Sequence, residues 1–572
     1  MRLSWWSEVY KTRLIILLAF AALIIFAWAN RFIQDDAFIS FRYASHLAHG
    51  EGLTWNSGLR VEGYTSYLWT LLLSFALYFG LEPVGFAFLL GLVSFALSLL
   101  FTYRLALPLV HSRNAALLAV ILLGSNYTFS SFATSGLETQ MHTCLLLGCV
   151  LLLFRFDESE GNHLNLLALS VVASASILTR LDSAVWLLAI LPAALFSSLR
   201  KNIGPGRKWA NFLCLLLPLT VVVGAWLGWK LYYYGDILPN TYYAKVPGIA
   251  SPLRGLRYVA IFFYSYLLFP FPFLFLYRWR SLFERSNRRL ALLICLIIFW
   301  LLYVVSVGGD FMEFRFIVQA MPLLFIATSW LIFTQVKQKA LQIALVSLIL
   351  LGSVHHTMAF SSPYQIESIR QLQEHVESPD ENWRGIGQTL GRAFDANQHV
   401  LIATTAAGAI PYYSRLETLD MYGLNDKWVA RNGVIVGTRP GHQRLAPFGY
   451  LTARGVNILV GQPLLVKSDL APPFTNLPEA IAYFNIPVSA QDAMPDDSRL
   501  IEIPVDSRHK LLAIYLIPHP AVDEAIRKNK WHYLSLDAAG ASRSAKRQMN
   551  PQPPPSSLTA SISSLLPFFN GR

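Results

Sequence analysis

The sequence predicts a polytopic α-helical membrane protein carrying an α/β domain on one face, and three observations predict it. The composition is 54% apolar and only 14% charged over 572 residues, where soluble domains run at roughly 45–50% and about 25%. Apolar runs follow one another from residue 14 to residue 354, separated by short polar segments. After residue 358 the character changes to Pro, Gly, Asn and charged residues interleaved with short β-type runs. Read as soluble, the chain would make three or four domains of about 100–200 residues each, and the composition does not supply the polar surface to cover them. A wholly cytoplasmic enzyme is thereby excluded.

Lys11 and Arg13 precede the first run, 14–32, in which Ala27-Trp28-Ala29 resembles a signal-peptidase site. The run reads as an uncleaved signal anchor, because the densest polar motif of the protein follows it directly. Further runs lie at 67–80, 84–103, 115–132, 141–154, 164–178, 184–199, 212–232, 256–277, 290–307, 316–333 and 340–354. Several are near the lower length limit for crossing about 30 Å of hydrocarbon.

The run 67–80 sets the side of everything after it. Taken as re-entrant from the outer face, it leaves eleven spans. Arg104 and Arg113, Arg155, then Arg200, Lys201, Arg207 and Lys208, then Arg278, Arg280, Arg285, Arg288 and Arg289, and finally Lys337 and Lys339 then all face the cytoplasm. That is the side on which basic loop residues are retained. A full crossing would turn each cluster outward, against Lys11 and Arg13. The re-entrant reading also gathers the motif-like segments 34–65, 134–139, 179–183, 233–245 and 308–315 on the outer face of the membrane, with the N-terminus inside.

The net charge of +12 is therefore spent on orientation, and nucleic acid is not an expected partner. Cys144, Cys149, Cys214 and Cys295 lie inside apolar segments without metal-type spacing, so neither a disulfide framework nor a zinc site is suggested. The chain thus divides into a membrane part, 1–358, whose first periplasmic loop is 34–66, and a periplasmic α/β domain, 359–537, with strands expected at 400–404, 458–460, 500–505 and 511–517. Residues 538–572 read as a Ser/Pro-rich disordered tail, in which 565–569 could touch the membrane. There is no solenoid-type repeat, and no P-loop, dinucleotide fingerprint, zincin helix or nucleophile elbow.

The first loop reads QDDAFISFRYASHLAHGEGLTWNSGLRVEGYTSYLW, with Asp35 and Asp36 adjacent and Glu62 further on. Carboxylates at a membrane edge that face protein are functional candidates. Adjacent side chains point in different directions, so one can act as general base while the other holds a metal, a sugar hydroxyl, or an arginine such as Arg42 or Arg60. The plainer alternative is that the pair caps the helix that follows. TSGLETQM places Glu138 at the outer end of one span, and LTRLDS places Arg180 and Asp182 at another. That pair could be structural, or Arg180 could fork onto a phosphate. In YYYGDILPNTYYAK, Asn240, Tyr242 and Lys245 offer hydrogen bonds and a cation among aromatics. An interfacial belt accounts for most of the tyrosines, whereas Lys245 is suited to a lipid phosphate. GGDFMEFR supplies Asp310, Glu313 and Arg315 in a glycine-started turn, which a tight interhelical loop would also explain. In the α/β domain AAGAIPYYS and TRPGHQR stand out, with Gly408, Pro411, Gly441 and His442 where strands end, although ordinary turn chemistry accounts for each.

Taken together, DDAFISFRYA, VEGYTSYLW with Tyr64, SGLET, LTRLD, GDILPNTYYAK, GGDFMEFRF, AAGAIPYYS and RPGH resemble the AftB-like arabinofuranosyltransferases of the GT-C class. The resemblance covers most of 34–442. It implies a GT-C fold and a polyprenyl-phosphate D-arabinofuranose donor. It implies an acceptor that is a glycan, as for the mycobacterial enzymes, or type IV pilin, as for Gram-negative relatives; the composition of the spans favours the pilin. On this resemblance Asp35 or Asp36 deprotonates the acceptor hydroxyl, Arg180, Lys245 or Arg315 steadies the leaving phosphate, and Glu62 and Glu138 orient sugar hydroxyls. The lipid tail lies between spans, so no soluble cofactor is needed, and a divalent cation stays open. A lipid-linked sugar flippase would need polar residues at mid-membrane, whereas here they sit at span ends. An O-antigen-type ligase would carry a large outer loop between late spans.

Overall fold

The computed structural model describes residues 2–245, 251–284, 287–361, 363–395, 398–474 and 476–534, with side chains in the first helix from Arg13 onward. The tail 538–572 lies outside the described residues. Every apolar run forms helix. The bundle comprises α1 (Arg2–Ala29), α2 (Asp35–Ala48), α3 (Tyr67–Tyr78), α4 (Pro83–Val110), α5 (Arg113–Gly124), α6 (Tyr127–Ser131), α7 (Thr139–Glu158) and α8 (His163–Thr179). It continues through α9 (Ala184–Arg200), α10 (Pro205–Tyr234), α11 (Asn240–Ala244), α12 (Pro252–Ser265), α13 (Pro270–Tyr277), α14 (Arg288–Ser306), α15 (Met321–Trp330) and α16 (Lys339–Ala359).

Among the described residues six helices are long and apolar enough to cross a membrane, or seven if the bent pair α12 and α13 is one span. The chain is therefore multi-pass. The run 256–277, expected as one straight span, is broken by 96° between α12 and α13. Leu267 takes a positive φ of 54°, and Pro270, which has no N–H to donate, starts the second helix. α3 has 12 residues, about 18 Å of helix, too short to cross by itself. Its outward side chains Phe75 and Tyr78 are exposed, as lipid-facing residues would be.

The α/β part is built on a mixed six-stranded sheet in the order β2-β1-β5-β7-β6-β8. Its strands are β1 (Leu401–Thr404), β2 (Glu417–Asp420), β5 (Ile458–Lys467), β6 (Arg499–Pro504), β7 (His509–Tyr515) and β8 (His532–Tyr533); β3 (Val434–Ile435) and β4 (Arg444–Leu445) form a separate hairpin. Both faces are covered, and successive residues alternate between the two covers: Ile458, Val460, Leu511, Ala513 and Tyr515 pack in one apolar cluster, Leu459, Leu512 and Ile514 in the other. Helices α17 (Ile369–Glu377) and α18 (Trp383–Ala393) connect the bundle to the sheet. α17 packs with the bundle, since Ile369, Leu372 and Val376 belong to its apolar cluster.

The first loop fastens the two parts together. Gly63 sits where a Cβ would lie 1.8 Å from Asn425 Oδ1, and Gly408 where one would lie 1.9 Å from the Asp35 carbonyl oxygen. Neither position has room for another residue. Trp55 Nε1 donates to Thr418 O at 2.9 Å, and Asn56 exchanges hydrogen bonds with the Thr418 backbone, each 3.1 Å long.

Candidate active site

Where the loops at one end of the bundle meet the α/β part there is a cavity of about 440 Å³. Residues from every polar segment singled out in the sequence line it: Asp35, Asp36 and Tyr64, Glu138, Arg180, Lys245, Asp310 and Arg315, and His442. Segments spread over some four hundred positions thus converge on one site.

The two aspartates are not equivalent. Helix α2 is capped by Gln34, whose side chain accepts from Asp36 N at 2.5 Å, so the carboxylates are not needed as caps. Asp35 accepts from Gly408 N at 3.0 Å and from Ala409 N at 2.7 Å, one bond to each oxygen. It is a clamp on the α/β part. Asp36 makes no ion pair among the described residues; its carboxylate has Gln34 beside it, and its charged neighbours are Arg315, Asp310 and Lys245. Burial pushes both acids up from the usual carboxylate range, Asp35 to about 7. Ser40, one turn after Asp36, lines the cavity from the same helix face.

Opposite Asp36 stands the glycine-started turn. Gly308 and Gly309 have φ of 81° and 74°, and the turn places Asp310 to accept from Arg315 Nε at 2.7 Å. The terminal guanidinium nitrogens of Arg315 have no hydrogen-bond partner among the described residues, which leaves them for the cavity. Lys245 is exposed and has no ion-pair partner among the described residues. Arg180, by contrast, is used up: Nη1 donates to Glu138 at 2.7 Å, Nη2 to Asp182 at 2.7 Å, and Nε to both Asp182 oxygens. It shapes the wall of the cavity rather than offering a free fork. His442 lies between the rings of Phe311 and Tyr422, with Nδ1 3.2 Å from Pro440 O. Burial pulls it down to about 4, with Arg439 adding to the effect, so it is neutral at pH 7 and serves as a hydrogen-bonding wall.

Six residues expected at the site lie elsewhere. Arg42 is buried and fully committed, donating to Trp55 O, Pro411 O, Leu416 O and Asn56 Oδ1. Arg60 is exposed, 4.5 Å over the ring of Tyr233. Glu62 pairs with Lys230 of α10 at 2.8 Å, behind the cavity wall, and burial raises it to about 7 against the pull of that lysine. Asp182 belongs to Arg180. Asn240 donates to three backbone carbonyls, of Gly423, Leu424 and Asp426, and so ties α11 to the α/β part. Tyr242 is exposed, its ring against Tyr243. Glu313 is also structural: it accepts from Thr128 Oγ1, His356 Nε2 and Ile369 N in the bundle core.

Beyond the turn that carries His442, the α/β side of the cavity has little signal in the sequence. Glu367 holds Arg439 at 2.6 Å and His375 Nε2 at 3.5 Å, while Glu381 takes His375 Nδ1. The imidazole lies flat on Trp383, 4.7 Å between centroids. Although burial opposes its charge, the two glutamates hold His375 up at about 10, so it is a fixed cation. Asp380, Glu381, Trp383 and Gln462 complete this wall. A shift of register in β5, with Gly461 at φ 62°, turns residues 462–465 toward the cavity. Only Arg439 had a signal, three positions before His442 in the TRPGHQR turn. No group of three or more His, Cys, Asp or Glu among the described residues could hold a metal ion.

Comparison with known proteins agrees with this architecture. The fold is that of the GT-C membrane glycosyltransferases: ArnT from Cupriavidus metallidurans, solved bound to undecaprenyl phosphate, superposes with a TM-score of 0.56 at 12% identity, over 89% of this chain and 98% of that one. Its apo form gives a TM-score of 0.53 at 11% identity, over 88% and 98%. In sequence the chain is similar to two terminal β-(1→2)-arabinofuranosyltransferases. That of Mycobacterium tuberculosis is 29% identical over 258 residues, 42% of this chain and 39% of the relative. That of Corynebacterium glutamicum is 27% identical over 395 residues, 62% and 56%. The matches therefore span 39% and 56% of those relatives' lengths. Residues 369–493 also match a domain of unknown function (DUF8728).

Proposed function

We propose that this chain is a membrane glycosyltransferase that moves D-arabinofuranose from a polyprenyl-phosphate donor to an acceptor hydroxyl, at the periplasmic face of a bacterial inner membrane. The observation that carries it is Asp36, a carboxylate with no ion pair among the described residues, which shares one cavity with Arg315 and Lys245. The similarity to arabinofuranosyltransferases and the GT-C fold support the sugar and the lipid-borne donor. In this reading 1–358 is the catalytic membrane part and 359–537 a periplasmic domain that closes the cavity.

Asp36 takes the proton of the acceptor hydroxyl as that oxygen bonds to the anomeric carbon. The bond from that carbon to the phosphate oxygen breaks, and its electron pair leaves with the phosphate. Lys245 and the free end of Arg315 meet the added negative charge. Asp310 fixes the Arg315 side chain, and Glu138 and His442 supply hydrogen-bonding groups for the sugar. Arg315→Gln is therefore expected to lower kcat by about 10²-fold with a smaller change in donor KM, because the charge it meets develops in the transition state. An unchanged kcat with a raised KM would make it a binding residue only.

For the acceptor, two readings rest on different observations. The composition of the spans favours type IV pilin, while Asp380 and Gln462 bring a carboxylate and an amide to the α/β wall of the cavity, groups that hydrogen-bond sugar hydroxyls. The deciding assay supplies purified protein with polyprenyl-phospho-D-arabinofuranose and either pilin or an arabinan oligosaccharide, and follows acceptor mass. A pentose gain on either acceptor supports the reading; no donor consumption with both refutes it. The rate should also fall on acidification. The base acts ionised, and burial makes Asp36 hold its proton to higher pH, so the acid limb should lie above the ~3.9 of a free aspartate. A pH–rate profile flat down to pH ~4 would remove Asp36 from this role.

A further inference from the structure

Beside the catalytic cavity lies a second one of about 340 Å³, and Asp310 is a wall of both. The first turns of α12 form one side of it, and Tyr364 stands on the other. Arg254 donates weakly from Nη1 to Gly308 O at 3.4 Å, and its Nη2 has no hydrogen-bond partner among the described residues. Arg257 is exposed, its guanidinium carbon 5.6 Å from the centre of the Tyr364 ring. Among the described residues Asp310 is the only carboxylate in the lining, and it is bound to Arg315. The site is thus cationic. Its other walls mix apolar Leu253 and Ile261 of α12 and Ile366 with polar Ser251, Gln365 and Thr438, and Leu253 and Tyr364 are 55% and 64% exposed at its rim. α12 is also half of the broken apolar pair, and its Leu253 and Leu256 are exposed.

We propose that this second cavity binds a lipid-borne phosphate monoester, namely the prenyl phosphate that transfer releases. This rests on the reading of the main cavity given above. Two guanidinium groups beside Leu253 and Ile261 match a terminal phosphate of up to two charges on an isoprenoid chain. The sugar-bearing donor phosphate has only one charge, and its sugar would find no hydroxyl-binding carboxylate here except the committed Asp310. The shared wall gives the carrier a short path out of the catalytic cavity. The second site therefore clears the leaving group and frees the first for fresh donor.

The full chain in phosphatidylcholine nanodiscs, titrated with undecaprenyl phosphate and followed by native mass spectrometry, tests this. The wild type should take up two equivalents, Arg254→Gln/Arg257→Gln one, and Lys245→Gln/Arg315→Gln should keep the equivalent bound by Arg254 and Arg257. Thr438→Trp, which fills the second cavity from its hairpin side, should also lose one. In turnover assays the arginine double variant should match the wild-type first turnover within about two-fold and then slow as carrier accumulates. Two equivalents retained in both the arginine and the Thr438 variants would overturn the proposal. So would displacement of the second equivalent by phosphatidylglycerol or inorganic phosphate at concentrations comparable with undecaprenyl phosphate, which would mark a general anion contact. Arginine-dependent binding without sugar transfer from any donor would refute the reading of the main cavity and leave this site standing.

Discussion

Asp36→Asn should lower single-turnover transfer by about 10²–10⁴-fold, the range for loss of a positioned general base, with no fall in thermal midpoint and with donor still bound. Asp35→Asn should behave differently. The amide has nearly the shape of the carboxylate but presents an NH₂ where Asp35 now receives the N–H of Gly408 or Ala409. Donor would face donor in a buried place, so Asp35→Asn should lower the thermal midpoint, and activity should fall as a consequence of loosened docking. Measuring transfer and melting on the same two preparations separates base from clamp. If Asp35→Asn melts normally and alone abolishes transfer, the assignments must be exchanged.

That distinction was closed to the sequence for a physical reason. DDAF shows two carboxylates at the start of a helix, but what occupies Asp35 is backbone 373 residues further along, and no local pattern encodes such a contact. The membrane motifs were legible because short polar segments between long apolar runs have few structural excuses. Hence Asp35, Asp36, Glu138, Arg180, Lys245, Asp310, Arg315 and His442 could be named, and all line the cavity.

The residues that lie outside the cavity follow the same logic in reverse. Arg42, Glu62 and Asn240 are polar residues in those segments too, but they serve the seam between the bundle and the α/β part, and a one-dimensional pattern does not separate a seam from a site. Glu367, His375, Asp380 and Glu381 lie in YQIESIRQLQEHVESPDENW, which reads as an ordinary solvated surface until folding lays it over the cavity. Strand content shows the same limit. β1, β5, β6 and β7 were expected from their apolar runs, whereas β2 is ETLD and β8 only two residues; pairing, rather than composition, makes them strands.

The seam makes the second strong prediction. Among the described residues Arg42 is a buried cation without a carboxylate partner. It is neutralised by oxygens alone: Trp55 O at 2.8 Å, Pro411 O at 2.6 Å, Leu416 O at 2.8 Å and Asn56 Oδ1 at 3.1 Å, with the guanidinium 4.7 Å over the Trp55 ring. Burial pulls its pKa down to about 10, still far above neutrality, so the charge is present whenever the protein works. Two of the four acceptors belong to the first loop and two to the segment after α19 (Ala409–Ser414) begins, so one side chain closes the joint that also seats Asp35. Arg42→Ala takes a charged donor from all four oxygens; Asn56 Oδ1, Pro411 O and Leu416 O keep one from Thr418 N, Arg415 N and Thr418 Oγ1, whereas Trp55 O is left without a hydrogen bond among the described residues, a loss of about 1–3 kcal/mol. Arg42→Lys should recover little, because one compact ammonium cannot reach acceptors spread around a planar fork. The expected result is a large drop in thermal midpoint for both variants, with faster proteolysis between the bundle and the sheet. Should Arg42→Ala instead melt like the wild type and raise donor KM, Arg42 would be a substrate-binding residue after all, and the cavity would have to reach it on ligand binding.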